Sequence, residues 1–192
     1  MSEILKAKLT GISPLLMHSG QLVDPMNRFT KALKQATKAS NRKTEEGIAE
    51  IRKLEWFGGL YQDESGKIGI PADLILAVAL GGAKKSKQGG EAKAGVYEAK
   101  PFFELEYKGP KDAKKLYENN NFVDYRGARV GQARVMRCRP IFKDWSVTIE
   151  LLVDTDVMDR DSLVTALKKA GSLVGLGDWR PRFGRFEVEV LP

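Results

Sequence analysis

The chain has 192 residues, enough for one domain with a sizeable core, and carries 32 Lys plus Arg against 25 Asp plus Glu, a formal net charge of +7. A single cysteine, Cys138, excludes an intrachain disulfide and suits a reducing cytoplasm, and a single histidine leaves too few ligands for a zinc site of the usual type. No apolar run is long enough for a bilayer and the first residues lack a signal-peptide core, so a soluble cytoplasmic protein is expected, its basic excess suited to a polyanion.

Leu5, Ala7 and Leu9 alternate with Lys6, Lys8 and Thr10, the pattern of a strand with one buried face. Pro14 and Gly20 bracket the loop that follows. Helices are expected at 29–39 and 44–56; Thr44 can cap the second, and Glu45 and Glu46 complement its dipole. Leu60-Tyr61 and Ile68 flank the turn residues Asp63-Glu64-Ser65-Gly66 and predict a short hairpin. Pro71 then opens an apolar helix over 72–80, in the first-turn position that proline tolerates. Its nearly all-round apolar character predicts burial against a sheet.

Residues 81–100 change character. Gly81, Gly82, Gly89, Gly90 and Gly95 are interleaved with Lys84, Lys85, Lys87, Lys93 and Lys100, which predicts a mobile basic loop. Phe103, Leu105 and Tyr107, alternating with Glu104 and Glu106, form a second core strand. An irregular insertion over 109–143 follows, turn-rich at first and ribbon-like later. Its second half holds Arg126, Arg129, Arg134, Arg137, Arg139 and Lys143, with no acidic residue between Tyr125 and Lys143.

The third core strand has Trp145, Val147, Ile149, Leu151 and Val153 on one face. A helix over 160–170 presents Leu163, Ala166, Leu167 and Ala170 on one stripe, with Asp159 or Asp161 as its cap and Gly171 as its end. Phe186, Val188 and Val190 alternate with Glu187 and Glu189 in the last strand. Between that helix and strand lies a glycine-rich loop. Gly175, Gly177 and Gly184 would allow a backbone close to a ligand, Arg180, Arg182 and Arg185 supply planar donors for phosphate, and Trp179 offers a face for a base.

The order strand, helix, strand, strand, helix, strand predicts an α+β, ferredoxin-like (RRM-like) βαββαβ core in a single domain, with insertions at 13–70, 81–100 and 109–143. Such a scaffold assigns no function by itself.

Three stretches carry a resemblance. Gly175-Leu-Gly177 followed by Phe183-Gly184-Arg185-Phe186, Gly69-Ile-Pro71-Ala-Asp-Leu74 entering a helix, and Leu15-Leu-Met-His18-Ser-Gly20 followed by Asp24-Pro-Met-Asn-Arg28 are similar to segments of the repeat-associated mysterious protein (RAMP) superfamily, RNA-binding subunits of CRISPR effector complexes. The chain departs from that pattern in three places: the helices of 29–56 precede the proline motif, one glycine stands where a close pair is common, and no Ser-Ser run follows the proline. The resemblance implies a subunit of an antiviral ribonucleoprotein that oligomerises along a guide RNA beside other effector-complex subunits.

The residues of a binding surface are then Gly175, Gly177, Trp179, Arg180, Arg182 and Arg185 in the terminal loop, Arg126, Arg129, Arg134, Arg137 and Arg139 in the insertion, and Lys84, Lys85 and Lys87 in the basic loop. Tyr125 and Trp145 are further stacking faces. Backbone tracking of single-stranded RNA asks for little more than these, and neither a cofactor nor a metal is called for. Phosphate contacts do not separate RNA from DNA, so a phage or bacterial single-stranded-DNA-binding or annealing protein is an alternative. So is a structural oligomer whose insertions only join subunits.

Two residues bear on catalysis. His18 could act as the base of a metal-independent endoribonuclease, as in processing members of the superfamily. Asp24 lies in a stretch that resembles the loop from which an aspartate of target-cleaving members supports metal-assisted cleavage. Asp24 has no second carboxylate near it in sequence, and an Asp before Pro is an ordinary turn former.

Overall fold

The computed structural model describes residues 1–38 and 44–192. In chain order its elements begin with β1 (Ser2–Gly11), β2 (Leu15–Leu16), α1 (Arg28–Ala36), α2 (Glu45–Gly59), β3 (Gly69–Pro71), α3 (Ala72–Lys84) and α4 (Gly89–Gly95). They continue with β4 (Val96–Glu98), β5 (Phe102–Glu106), α5 (Ala113–Glu118), β6 (Val123–Val130), β7 (Ala133–Phe142), β8 (Ser146–Asp154), α6 (Arg160–Leu173) and β9 (Phe186–Val190). The chain is a mixed α+β protein with antiparallel sheets. Residue 39, where the first predicted helix was to end, lies outside the described residues.

The chain forms two compact units, one from Met1–Leu15, Gln62–Lys108 and Lys143–Pro192, the other from Leu16–Tyr61 and Gly109–Phe142. The first holds the sheet β3-β5-β8-β1-β9, with β4 also pairing β8. Period-two burial builds it: Leu5, Ala7, Leu9, Val147, Ile149, Leu151 and Val153 are fully buried, while Lys6 lies opposite Glu150 and Lys8 opposite Thr148 on the other face. Each large aliphatic side chain so buried contributes about 1.5–3 kcal/mol before the entropy of ordering is subtracted.

Helices α3 and α6 pack at close range. A Cβ on Gly82 would lie 2.0 Å from the Ala166 carbonyl oxygen, and one on Gly171 would lie 2.1 Å from that of Phe186. Gly171 is therefore a packing residue inside α6 rather than the helix end expected from sequence. Asp159 caps α6 as expected, accepting from the Ser162 N–H at 2.9 Å. Pro71 stands at the cap of α3, one residue before the first turn.

The basic loop expected over 81–100 is instead the end of α3, then α4 and β4. Ala83, Ala92 and Val96 are buried, Val96 pairs with Val153, and Lys169 Nζ donates to Ser86 Oγ at 2.7 Å. Those three small apolar anchors, spaced through a lysine- and glycine-rich stretch, hold the segment to the core.

The second unit is made from parts of the insertions expected at 13–70 and 109–143. Trp56 of α2 is fully buried and its Nε1 donates to the Phe122 carbonyl at 2.9 Å. Thr44 caps α2 through the Gly47 N–H at 3.0 Å. Its sheet has the order β2-β7-β6, and the β6–β7 hairpin realises the expected ribbon.

Candidate nucleic-acid interface

In the first unit, Gly175, Gly177 and Gly184 all adopt positive φ (77°, 81° and 70°), backbone that an L side chain resists. Gly175 and Gly184 closely approach other parts of the chain. The Leu176 N–H donates to the Gly184 carbonyl and the Gly184 N–H to the Pro14 carbonyl, both at 2.8 Å. A Cβ on Gly184 would lie 1.7 Å from the Leu176 oxygen, and one on Gly175 would lie 2.7 Å from that of Phe183. These contacts form a neck, from which Asp178 to Arg182 project.

Trp179 sits at φ 56°, 39% exposed, its ring stacked on the buried Phe183 with centroids 5.8 Å apart and planes at 18°. Arg180, Arg182 and Arg185 are exposed, and among the described residues none of their guanidinium groups has an ion-pair partner. Close packing of Gly81 on Val174 brings the last turn of α3 beside this loop. Lys84, Lys85, Asp178, Trp179, Arg180 and Pro181 consequently line one open cleft of about 770 Å³. Three cations face one carboxylate there, and the lysines offset the negative end of the α3 dipole. Lys87, in left-handed backbone at φ 61°, is exposed but does not line the cleft.

No family model and no curated protein matches this sequence. The reading of the site therefore rests on its residues.

The sheet's open face offers no comparable surplus of charge. Glu106 accepts from Lys8 at 2.8 Å, Ser146 at 3.0 Å and Thr148 at 3.2 Å, and these bonds, that of Lys8 foremost, hold its carboxyl below the ordinary carboxylate range. Lys67 pairs with Glu104 and Lys100 with Glu150. Trp145, a candidate stacking face, is only 4% exposed and donates from Nε1 to the Ser13 carbonyl at 3.0 Å, so it belongs to the core.

In the second unit, cross-strand register sorts the hairpin arginines. Arg126 lies opposite Arg137, Arg129 opposite Arg134, and Asp124 opposite Arg139. Arg126 is bound by the buried Asp124, and Arg137 Nη1 donates to Glu55 Oε1 at 2.5 Å. Arg139 is half-buried. Two cations of the acid-free stretch are thus paired with acids from outside it, which sequence reading missed. Arg129 and Arg134, exposed beside the turn, have no ion-pair partner among the described residues, although Arg129 Nε donates to the Gly131 carbonyl at 3.0 Å. The Arg52 guanidinium covers one side of Tyr125, 4.2 Å from its ring centroid.

His18 is exposed, and its backbone N–H and carbonyl meet the Tyr61 hydroxyl at 3.4 and 3.2 Å. Asp24 is exposed and accepts from the Met26 N–H at 2.8 Å, the local bond of a turn former. Among the described residues no three His, Cys, Asp or Glu side chains converge as metal ligands. Burial pushes the Cys138 thiol up to about 11, so it is protonated at neutral pH and a poor nucleophile. Among the described residues no helix is long and apolar enough to cross a membrane.

Proposed function

We propose that the chain binds single-stranded RNA by its sugar–phosphate backbone, without reading sequence, and that copies assemble along the strand as subunits of a CRISPR-type ribonucleoprotein. The observation that carries this reading is the convergence of Lys84, Lys85 and Arg180 around the exposed ring of Trp179 in one open cleft. Such a cleft joins the two requirements of strand binding: cations that displace condensed counterions, and a flat face on which a base stacks for about 1–3 kcal/mol. Arg182 and Arg185 are further exposed cations of the same loop.

A ferredoxin-like core is supported by the element order and by the central positions of β1 and β8 in the sheet. The resemblance of the terminal loop to the RAMP superfamily supports RNA over DNA and repeated copies over one.

Filter binding of matched RNA and DNA strands across a salt series tests the proposal. Engagement of Lys84, Lys85, Arg180, Arg182 and Arg185 by phosphate gives a log–log salt slope of about −3.5, at roughly −0.7 per contact on a single strand. RNA binding that is absent at low salt, or indifferent to salt, refutes it.

A further inference from the structure

The second unit contains a pocket that the strand-binding cleft does not use. About 420 Å³ in volume, it lies between α2 and the β6–β7 hairpin. Its walls are apolar: Ile48 and Ile51 from α2, Val135 and Met136 from β7, and the ring of Tyr125. Ile48 and Met136 are 40% and 49% exposed and line the same pocket, so apolar surface is open to a ligand there.

The polar groups of the pocket are mainly donors. Both oxygens of Glu55 are occupied, Oε1 by Arg137 Nη1 and Oε2 by the Cys138 N–H at 2.8 Å. Arg52 lines the pocket with its guanidinium lying over the Tyr125 ring, and its Nε is buried without a hydrogen-bond partner. Arg137 is 40% exposed and keeps further guanidinium donors beyond the one held by Glu55. Two guanidinium groups against one carboxylate leave a net positive charge. A ligand complementary to this pocket is flat and apolar in one part, rich in acceptors in another, and anionic.

We propose that the pocket binds one unstacked nucleotide, with its base against Ile48, Ile51, Val135 and Met136 and its acceptor groups, phosphate included, on Arg52 and Arg137. Where the nucleotide is a member of a bound strand, the inference rests on the RNA-binding reading above; a free nucleotide presents the same chemistry.

Calorimetric titration of the full chain tests it, using uridine and guanosine monophosphates, inorganic phosphate, a single-stranded oligoribonucleotide and hexaglutamate. Met136→Glu and Ile48→Glu place a carboxylate at the pocket mouth from positions exposed enough to leave the fold intact, which circular dichroism verifies. The expected result is saturable mononucleotide binding, weakened about tenfold by either substitution and unchanged when Arg180, Arg182 and Arg185 are all alanine. Competition by the oligonucleotide identifies the strand as the source; mononucleotide binding without competition identifies a free nucleotide. No saturable mononucleotide binding, equal binding of inorganic phosphate, displacement by hexaglutamate at equal affinity, or indifference to both substitutions overturns the proposal. If the pocket fails while salt-dependent strand binding persists, this inference falls alone. If strand binding fails while the pocket binds mononucleotide, the RNA-binding reading falls and the pocket stands.

Discussion

The side chain of Glu55 accepts the backbone N–H of Cys138 at 2.8 Å, so a helix carboxylate takes the place of a neighbouring strand along part of β7. An unpaired strand edge invites pairing with other chains, and this bond covers it within the fold. Glu55→Ala leaves that N–H and Arg137 without their acceptor. Stability is expected to fall by about 1–3 kcal/mol in urea denaturation, and Glu55→Gln, which keeps an acceptor, by less.

Cleft residues and their neighbours are expected to separate cleanly. Lys84→Ala with Lys85→Ala weakens RNA binding about tenfold at low salt, whereas Lys87→Ala, outside the cleft, changes it little. Filter binding of the three proteins at one salt concentration decides this. A larger loss from Lys87→Ala would place the strand elsewhere.

Trp179 separates binding from stability. Removing its ring in Trp179→Ala or Trp179→Gly is expected to cost about 1–3 kcal/mol of binding. The two variants differ in melting temperature. Glycine takes the left-handed backbone at φ 56° without the penalty of about 1 kcal/mol that alanine meets, so Trp179→Gly melts higher.

Two glycines in the segment read from sequence as a loop are expected to respond in opposite directions to alanine. Gly82→Ala drives a methyl into the Ala166 carbonyl and destabilises by about 3 kcal/mol. Gly90 in α4 has open space around its would-be Cβ, and Gly90→Ala stabilises by about 0.5–1 kcal/mol through helix propensity. Thermal melts of both variants check the pair.

Burial raises the Cys138 thiol from 9.0 to about 11 in the folded chain. The folded state therefore holds this proton more tightly than the unfolded chain. The contribution is complete below the unfolded value of 9.0 and is lost as pH rises through about 11. The stability gap between the wild-type chain and Cys138→Ala should narrow over that window. Tyr107, also raised by burial, to about 12, is common to both proteins and cancels in the comparison.

The strands around Leu5–Leu9 and Val147–Val153 were legible because burial on one face writes a period of two into adjacent residues. Helix α6 was legible from its apolar stripe and its aspartate cap. Gly82 was misread because a glycine that admits a neighbouring helix looks, in sequence, like one that frees a loop. The Glu55–Arg137 ion pair escaped notice because its partners lie 82 positions apart, and no local pattern announces such a partner. The terminal loop was read as a grip from its own glycines, arginines and tryptophan. Its convergence with Lys84 and Lys85 depends on how closely α3 passes α6, a distance set by glycines that carry no charge or stacking face.

The register of the hairpin has a consequence for its turn. Arg129 and Arg134 stand directly opposite one another, and like charges in that position push the strands apart. Without an anion, the end of the hairpin is the part of β6 and β7 most ready to fray. An anion seated between the two guanidinium groups would turn that repulsion into a clasp, so ligand occupancy would be recorded as slower amide exchange in residues 129–134. Arg134→Glu would supply a permanent internal counter-charge, and the turn should then hold its amides regardless of what the solution contains.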